Sequence, residues 1–497
     1  MYLLGVCLAE RDTAAQSAAL EQLIRTRKLH FDSPEGLAAT LLEADLLRAA
    51  GRPAEAVAAY RLALSAAGTA VEYHNPWVPL AEFRGRVVAA FEDLCDGGQF
   101  DHAVELLDGF RPIFPHLRTL ELTAQTAGRW GDALIRSGAH LPESQARPLQ
   151  QRARQHFRRA GYAFLQLAEA HRASRRYPDD LWNSAQSLLK GHDFQTARRL
   201  LKQYLDEPAR PWRAQALVAL GQANLALGHV DESAAALQEC IEFHPRDPAT
   251  YTARLWCSKA YVEQGAYDKA EALLRNNLDS DSLTPTSSEW RDSLFALGQL
   301  LLTQQRHQEA VKHLQEAVAR YPATPRATHG IHLIAQAYRE AAKEPQQRLR
   351  EAAVQTVRAA SRREVGQLLE QALQYYQQVQ TMLLGREEQS ELTALDSAML
   401  RNCLLARGSI LFDLARYDEA IEVYSNAATR YQNEPVVLET FVQIAYCYRR
   451  QSKLVEARGA VEQAKVVLQQ LPPDEDFKVT TNYSRDEWVT LLNRLSS

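Results

Sequence analysis

Residues 293–325 read SLFALGQLLLTQQRHQEAVKHLQEAVARYPATP, and this stretch decides the fold. Its apolar residues recur three and four apart, the period of a helix with one buried face. Two further stretches repeat the plan: ALVALGQANLALGHVDESAAALQECIEFHPRDP at 216–248 and LLARGSILFDLARYDEAIEVYSNAATRYQNEP at 404–435. In each, a helix carries a glycine midway and a short turn follows. A second helix then opens near a small residue and ends at a proline or loop. Self-similarity at this period is the mark of a helical-hairpin array.

With Gly221, Gly298 and Gly408 set as position 8 of a 34-residue unit, units begin near 37, 84, 178, 214, 251, 291, 401 and 438. Position 8 reads Ala44, Phe91, Ala185, Gly221, Ser258, Gly298, Gly408 and Ala445. Position 20 reads Ala56, Ala103, Ala197, Ser233, Ala270, Ala310, Ala420 and Ala457. The chain has 76 alanines in 497 residues, so seven of eight at one position is not composition alone. Position 24 is large and apolar throughout: Tyr60, Leu107, Leu201, Leu237, Leu274, Leu314, Tyr424 and Val461. Small residues at 8 and 20 let two antiparallel helices approach where they cross, and the large residue at 24 is expected to fill the space between successive hairpins. Pro115, Pro245 and Pro322 close three units at position 32, because proline cannot continue a helix. Gly51, Gly98, Gly228 and Gly265 at position 15 turn the chain.

This pattern resembles the tetratricopeptide repeat (TPR) family: Gly/Ala at 8, Ala at 20, Tyr/Leu at 24, small at 27 and Pro at 32. It departs at position 4, where Leu217, Leu294 and Leu404 replace the usual Trp. The resemblance implies an all-α fold, a right-handed superhelical α-solenoid of about ten to eleven hairpins with a C-terminal capping helix. It also implies a concave groove built from first-helix positions 2, 5, 9, 12 and 13. Here those positions include Trp182, Gln186, Gln222, Leu255, Lys259, Phe295, Gln299, Phe412, Tyr446 and Arg449. The family's carboxylate clamp wants Lys at position 5, where this chain has Trp182, Val218, Leu255, Phe295, Leu405 and Val442, so a receptor for acidic C-termini is disfavoured. A mixed apolar and amide groove suits an extended or helical peptide.

The remaining segments read as altered units. In MYLLGVCLAERDTAAQSAALEQLI, Gly5 takes the position-8 place of a unit whose first helix begins part-way. An upstream segment carrying a signal or anchor is therefore one expectation, and a frayed end the other. Residues 116–174 form two helices around a loop at Gly138–Pro148. Residues 1–342 make the first stretch of solenoid. Residues 343–400 hold an insertion, where one helix of about 38 residues from Pro345 or two abutting helices lead to the acidic connector GREEQSELTALDSAM at 385–399. A terminal pair of repeats occupies 401–471, and 472–497 holds the Pro472–Pro473 linker and a capping helix. Ser484 and Glu487 have capping-box spacing, and Trp488, Leu491, Leu492 and Leu495 share a face.

Low glycine (22 residues) and 46% hydrophobic content argue against a β-sandwich and against disorder. The six cysteines, none in a CxxC pair, read as buried single thiols. MYLLGVCLA is apolar for only nine residues and lacks a basic flank, so it does not read as a signal peptide. The sequence as written reads as cytoplasmic, and as periplasmic or envelope-associated if a leader precedes it.

No phosphate-binding or zinc-protease fingerprint occurs, and no cofactor or metal is expected. His329 and His332 share a helix face, read as two partly exposed side chains, and Asp179–Asp180 reads as helix N-cap chemistry. The expectation is a non-catalytic scaffold or adaptor for other proteins. Helices ending in YP and HP, in ARYPATP and IEFHPRDP, resemble bacterial envelope TPR proteins of the BamD and YbgF-like sort and suggest envelope assembly as a context. A cytoplasmic regulatory TPR protein is the alternative. The net charge of −4 conceals a segment, 145–213, with 14 Lys/Arg against 6 Asp/Glu. Arg152, Arg154, Arg158, Arg159, Arg172, Arg175 and Arg176 form its basic patch, which reads first as a solvated face, then as a site for an acidic partner, and last as an RNA surface. Position 2 (Gln215, Thr252, Asp292, Asn402) shows no base-reading code, and oligomeric state is left open.

Overall fold

The structure is a computed structural model that describes residues 1–10, 16–139, 141–208, 210–472 and 475–496. Among these residues it is all helix, with no strand. Arg11, Pro473 and Asp474, which the sequence placed after the first helix and in the C-terminal linker, lie outside the described residues. The chain divides into two compact units, Met1–Ala253 and Arg254–Ser497.

Helices succeed one another as antiparallel hairpins. The first unit holds α1 (Tyr2–Ala9) with α2 (Gln16–Leu29), α3 (Pro34–Ala49) with α4 (Pro53–Ala67), and α5 (Leu80–Asp96) with α6 (Phe100–Asp108). It continues with α7 (His116–Gly138) and α8 (Glu143–Ala170), α9 (Tyr177–Lys190) and α10 (Phe194–Asp206), and α11 (Arg213–Ala226) and α12 (Val230–Phe243). Next come α13 (Ala249–Glu263) and α14 (Tyr267–Leu278). The second unit goes on with α15 (Ser288–Thr303) and α16 (His307–Arg320), then α17 (Pro325–Ala341), α18 (Lys343–Glu351) and α19 (Gln355–Glu387). It closes with α20 (Ala394–Asp413) and α21 (Tyr417–Arg430), α22 (Val437–Arg450) and α23 (Leu454–Gln470), and α24 (Arg485–Ser496).

The repeat positions have direct geometric meaning. A Cβ on Gly298 would lie 2.6 Å from the Leu314 side chain, and one on Gly408 2.5 Å from the Tyr424 ring. Gly221 faces Leu237 and Gly5 faces Leu23 in the same way. Position 24 therefore seats on position 8 of its own hairpin, rather than only filling space between hairpins as the sequence suggested. A side chain at position 8 would displace it from a close-packed interior. The Ser233 hydroxyl donates to the Gly221 carbonyl (2.8 Å), so the one serine at position 20 ties together the same crossing.

The turns are equally uniform. Position 15 has positive φ in all eight units: Gly51, Gly98, Gly228 and Gly265 at 69° to 78°, and His192, Gln305, Ala415 and Ser452 at 58° to 63°. In each turn the next residue's N–H returns to the carbonyl five residues back, as from Arg416 to Leu411 (2.9 Å) and from His229 to Asn224 (2.9 Å). This is the Schellman closure of a helix, which satisfies otherwise orphaned carbonyls.

Several expectations are corrected. Pro148 lies inside α8, so the loop of this hairpin is far shorter than 138–148. Pro148 is the sixth residue of α8, past the first turn, and so removes one N–H from the helix ladder. Of the two readings left open for the insertion, one long helix or two abutting helices, the structure has the second. Ala352 and Val354 take extended backbone angles and separate α18 from the 33-residue α19. The Arg348–Glu364 ion pair (3.0 Å) holds α18 against α19. The acidic connector shrinks to 388–393, because the Thr393 hydroxyl caps the Asp396 amide (3.0 Å) and starts α20 early. Asp179 and Asp180 sit in the first turn of α9 rather than at its cap, and Asp180 pairs with His171 Nδ1 (2.7 Å). Cys7 is exposed on α1, while the other five cysteines are free and buried. Burial pushes the Cys403 thiol up to about 12, which keeps it protonated and inert.

At the C-terminal end α24 caps the array. Glu487 accepts from the Ser484 amide (2.7 Å) and the Ser484 hydroxyl accepts from the Glu487 amide (3.4 Å), the reciprocal pair that the spacing predicted. Trp488 and Leu492 are buried in the core of the terminal hairpins, with Leu491 and Leu495 packed beside them. The Trp488 indole donates to Thr481 (3.1 Å).

Candidate functional site

The residues expected in the groove separate by chemistry. Trp182 and Phe295 are each only 7% exposed, and Leu255 is also buried. Trp182 packs against Tyr204 (ring centroids 5.7 Å) and Phe295 against Tyr321 (6.4 Å), so both rings join helices rather than face solvent. Phe412 is half-buried against Tyr417. Lys259 lies with its ammonium 3.8 Å from the Trp256 ring centroid, and burial lowers its pKa. Gln222 is half-buried, while Gln186, Gln299, Tyr446 and Arg449 are exposed. Arg449 donates to the Leu495 carbonyl (2.7 Å) and so serves the capping helix.

The basic patch follows α8 and the turn after it. Arg152, Arg158, Arg159, Arg172, Arg175 and Arg176 are exposed, and Arg154 is half-buried. Arg158 donates to the Gly191 carbonyl (2.7 Å), and Arg159 faces Asp108 (3.8 Å). Of the interleaved aromatics, Phe157 is buried and Phe164 half-buried, while Tyr162 is exposed and donates to Asp193 (2.7 Å).

A cavity in the second unit gathers first-helix side chains, and none of the ten groove residues lines it. It has a volume of about 480 Å³ and lies between three successive first helices. α17 contributes His332, Gln336, Arg339 and Glu340, which are positions 5, 9, 12 and 13 counted from residue 328. α20 contributes Asn402, Leu405, Ala406 and Ser409, and α22 contributes Glu439 and Gln443. Tyr376 of α19 and Tyr424 of α21 complete it from the second helices. The position rule thus finds this wall in α17, whose repeat the insertion splits, and also in the intact units, where Asn402, Leu405 and Ser409 are positions 2, 5 and 9 and Glu439 is position 2.

Charge in the cavity is unevenly compensated. Arg339 donates to the Ser409 hydroxyl (3.0 Å), and Glu340 is paired with Lys343 (2.6 Å). Burial pushes the Tyr376 phenol up to about 12, with Arg339 partly opposing, and burial also raises Tyr424. Burial alone raises the Glu439 carboxyl. His332 is driven down to about 4 by burial and by its neighbour His329. The two imidazoles stack at 6.4 Å between centroids, and both Nδ1 atoms are buried without a hydrogen-bond partner. Both side chains are otherwise partly exposed, as the sequence reading had them. No cluster of three or more His, Cys, Asp or Glu able to hold a metal occurs among the described residues. No helix among them is long and apolar enough to cross a membrane.

An amide- and hydroxyl-lined cavity with aromatic walls can hydrogen-bond an extended backbone and pack its side chains. Models of the tetratricopeptide repeat match residues 14–71, 183–248, 251–323 and 405–475, together more than half of the chain. No curated protein matches it. Among solved structures, it is similar to a tetratricopeptide repeat protein from Parabacteroides merdae ATCC 43184, at 14% identity and a TM-score of 0.36, over 64% of this chain and 99% of that one. It is also similar to the APC/C hetero-tetramer Cut9–Hcn1, at 13% identity and a TM-score of 0.33, over 100% of this chain and 83% of that one. A kinesin light chain repeat structure from Podosopora anserina matches at 21% identity and a TM-score of 0.30, over 40% of this chain and 93% of that one. The chain belongs to the tetratricopeptide repeat family.

Proposed function

We propose that this chain is a non-catalytic adaptor that holds a polypeptide segment of another protein in the cavity between α17, α20 and α22. Tetratricopeptide repeats generally mediate protein–protein interaction, which supports the class of partner. The observation that carries the reading is the convergence of first-helix side chains from three hairpins on one cavity. Gln336 and Asn402 stand exposed at its wall, free of the core. The exposed Gln186, Gln299 and Tyr446 extend the same first-helix reading to their own hairpins. The buried Trp182, Leu255 and Phe295 instead hold those hairpins together.

Affinity capture on the wild-type chain and on a Gln336→Trp, Asn402→Trp variant tests the proposal. The indoles occupy the cavity without touching the core. The expected result is a protein recovered by the wild type and lost by the variant, with helicity and melting unchanged. Recovery undiminished by the variant, or enrichment of RNA without protein, contradicts it. The narrower setting of envelope assembly rests on the sequence of 319–325 and 241–248 alone, and cell fractionation tests it separately.

A further inference from the structure

Glu439 stands out among the charged groups of the cavity. It occupies position 2 of its repeat, in the first turn of α22, and lines the cavity beside Tyr424, whose phenol its charge also raises. Its neighbours there have other partners: Arg339 donates to the Ser409 hydroxyl and its charge acts on Asp413 of α20, and Glu340 pairs with Lys343. Arg339 reaches the two tyrosines electrostatically, yet among the described residues no arginine, lysine or histidine pairs with Glu439. A mostly desolvated carboxylate without a cation is a standing penalty, relieved only by protonation or by an incoming positive charge.

The surroundings suit the second remedy. Asn402 and Gln443 offer amide oxygens, groups that accept hydrogen bonds from a cationic head. An acidic side chain entering the cavity would meet Glu439 unpaired, and an apolar one would bury its charge more deeply. We infer that Glu439 is the anchor for a lysine or arginine side chain of the polypeptide docked in this cavity. The inference rests on the adaptor reading above and specifies the partner's chemistry: an extended segment with one basic residue set over α22.

A random peptide display library selected on the full-length chain tests it. Retained peptides are measured against the wild type, Glu439→Gln and Gln336→Trp. Peptides lost on Gln336→Trp should carry a lysine or arginine. Replacing that residue by glutamine, or introducing Glu439→Gln, should each weaken binding at least about tenfold, and the two together should cost little more than either alone. Cavity-bound peptides indifferent to Glu439→Gln overturn the cationic anchor and leave the adaptor reading standing. A selection yielding no peptide sensitive to Gln336→Trp overturns both. Glu439→Gln also removes a buried charge at constant shape, so its melting temperature should match or exceed that of the wild type. A lower one would show Glu439 engaged within the fold, against the inference.

Discussion

The eight equivalent turns make a paired prediction of opposite sign. Ala415 holds φ at 59°, and Gly228 holds φ at 78° in the corresponding turn. Both turns are closed by the same pair of backbone bonds, to Phe412 and Leu411 in one and to Leu225 and Asn224 in the other. The Ala415 side chain is exposed, and a Cβ on Gly228 would meet nothing within 4 Å, so neither exchange gains or loses packing. What changes is backbone strain and unfolded-chain freedom. A non-glycine residue in the left-handed region costs about 1–2 kcal/mol. Glycine loses about 0.4–1 kcal/mol through the greater freedom of its unfolded chain. Ala415→Gly should therefore stabilise its turn by about 0.5–1 kcal/mol, and Gly228→Ala should destabilise its own by a similar amount.

Stability in a repeat array is a sum of local and nearest-neighbour terms, so a single global midpoint dilutes an effect of this size. Native-state hydrogen exchange of the amides in α20 and α21, and in α11 and α12, reads it locally. The expected change is about fivefold slower exchange around Ala415→Gly and about fivefold faster around Gly228→Ala. Faster exchange in Ala415→Gly, or no change in Gly228→Ala, would refute the argument that position 15 is set by backbone conformation.

Gly408→Ala brings a methyl group to 2.5 Å from the Tyr424 ring and should destabilise by about 1–3 kcal/mol, seen as a lower denaturant midpoint with reduced protection of α20 and α21. Phe295→Ala should lose about 3–5 kcal/mol, whereas Gln299→Ala, one turn further along α15, should stay within about 0.5 kcal/mol, both measured by chemical denaturation. Because burial depresses the folded-state pKa of His332, its proton binds the unfolded chain more readily. Its contribution is therefore intact above about pH 6.5 and falls away as the pH drops toward about 4, by at most about 3 kcal/mol. Melting curves across that window should flatten in His332→Asn, and equal slopes for both proteins would exclude His332 as the source.

The architecture was legible because its determinants are local and repeated. Ala at 20, small residues at 8 and glycine at 15 each answer a steric demand that recurs every hairpin, and Gly298 over Leu314 shows the demand directly. The same turn geometry at His192, Gln305, Ala415 and Ser452 was not legible, because the backbone imposes positive φ there against residue preference. Breaks in the pattern were read less well. Nothing in EAAVQT punctuates the end of α18, since it holds no glycine or proline and opens on the good helix formers Glu351, Ala352 and Ala353. Likewise Thr393 starts α20 a full turn and more before the repeat register does. The cavity was missed for another reason. His332, Gln336 and Arg339 occupy groove positions of a split repeat and Asn402, Leu405, Ser409 and Glu439 occupy them in intact units, but spacing alone does not tell which of the many groove positions converge on one cavity. Aromatic residues at position 5 looked like groove anchors, yet Trp182 and Phe295 turn inward because a large ring gains most by joining two helices.

Site-specific photocrosslinking in cells tests the central claim most directly. A benzophenone side chain is placed at Gln336, Asn402 or Gln443 inside the cavity, and at the exposed Glu462 of α23 as a comparison. The account predicts that all three cavity positions capture the same polypeptide and that position 462 does not. Capture from position 462 alone, or equally from all four, would contradict it.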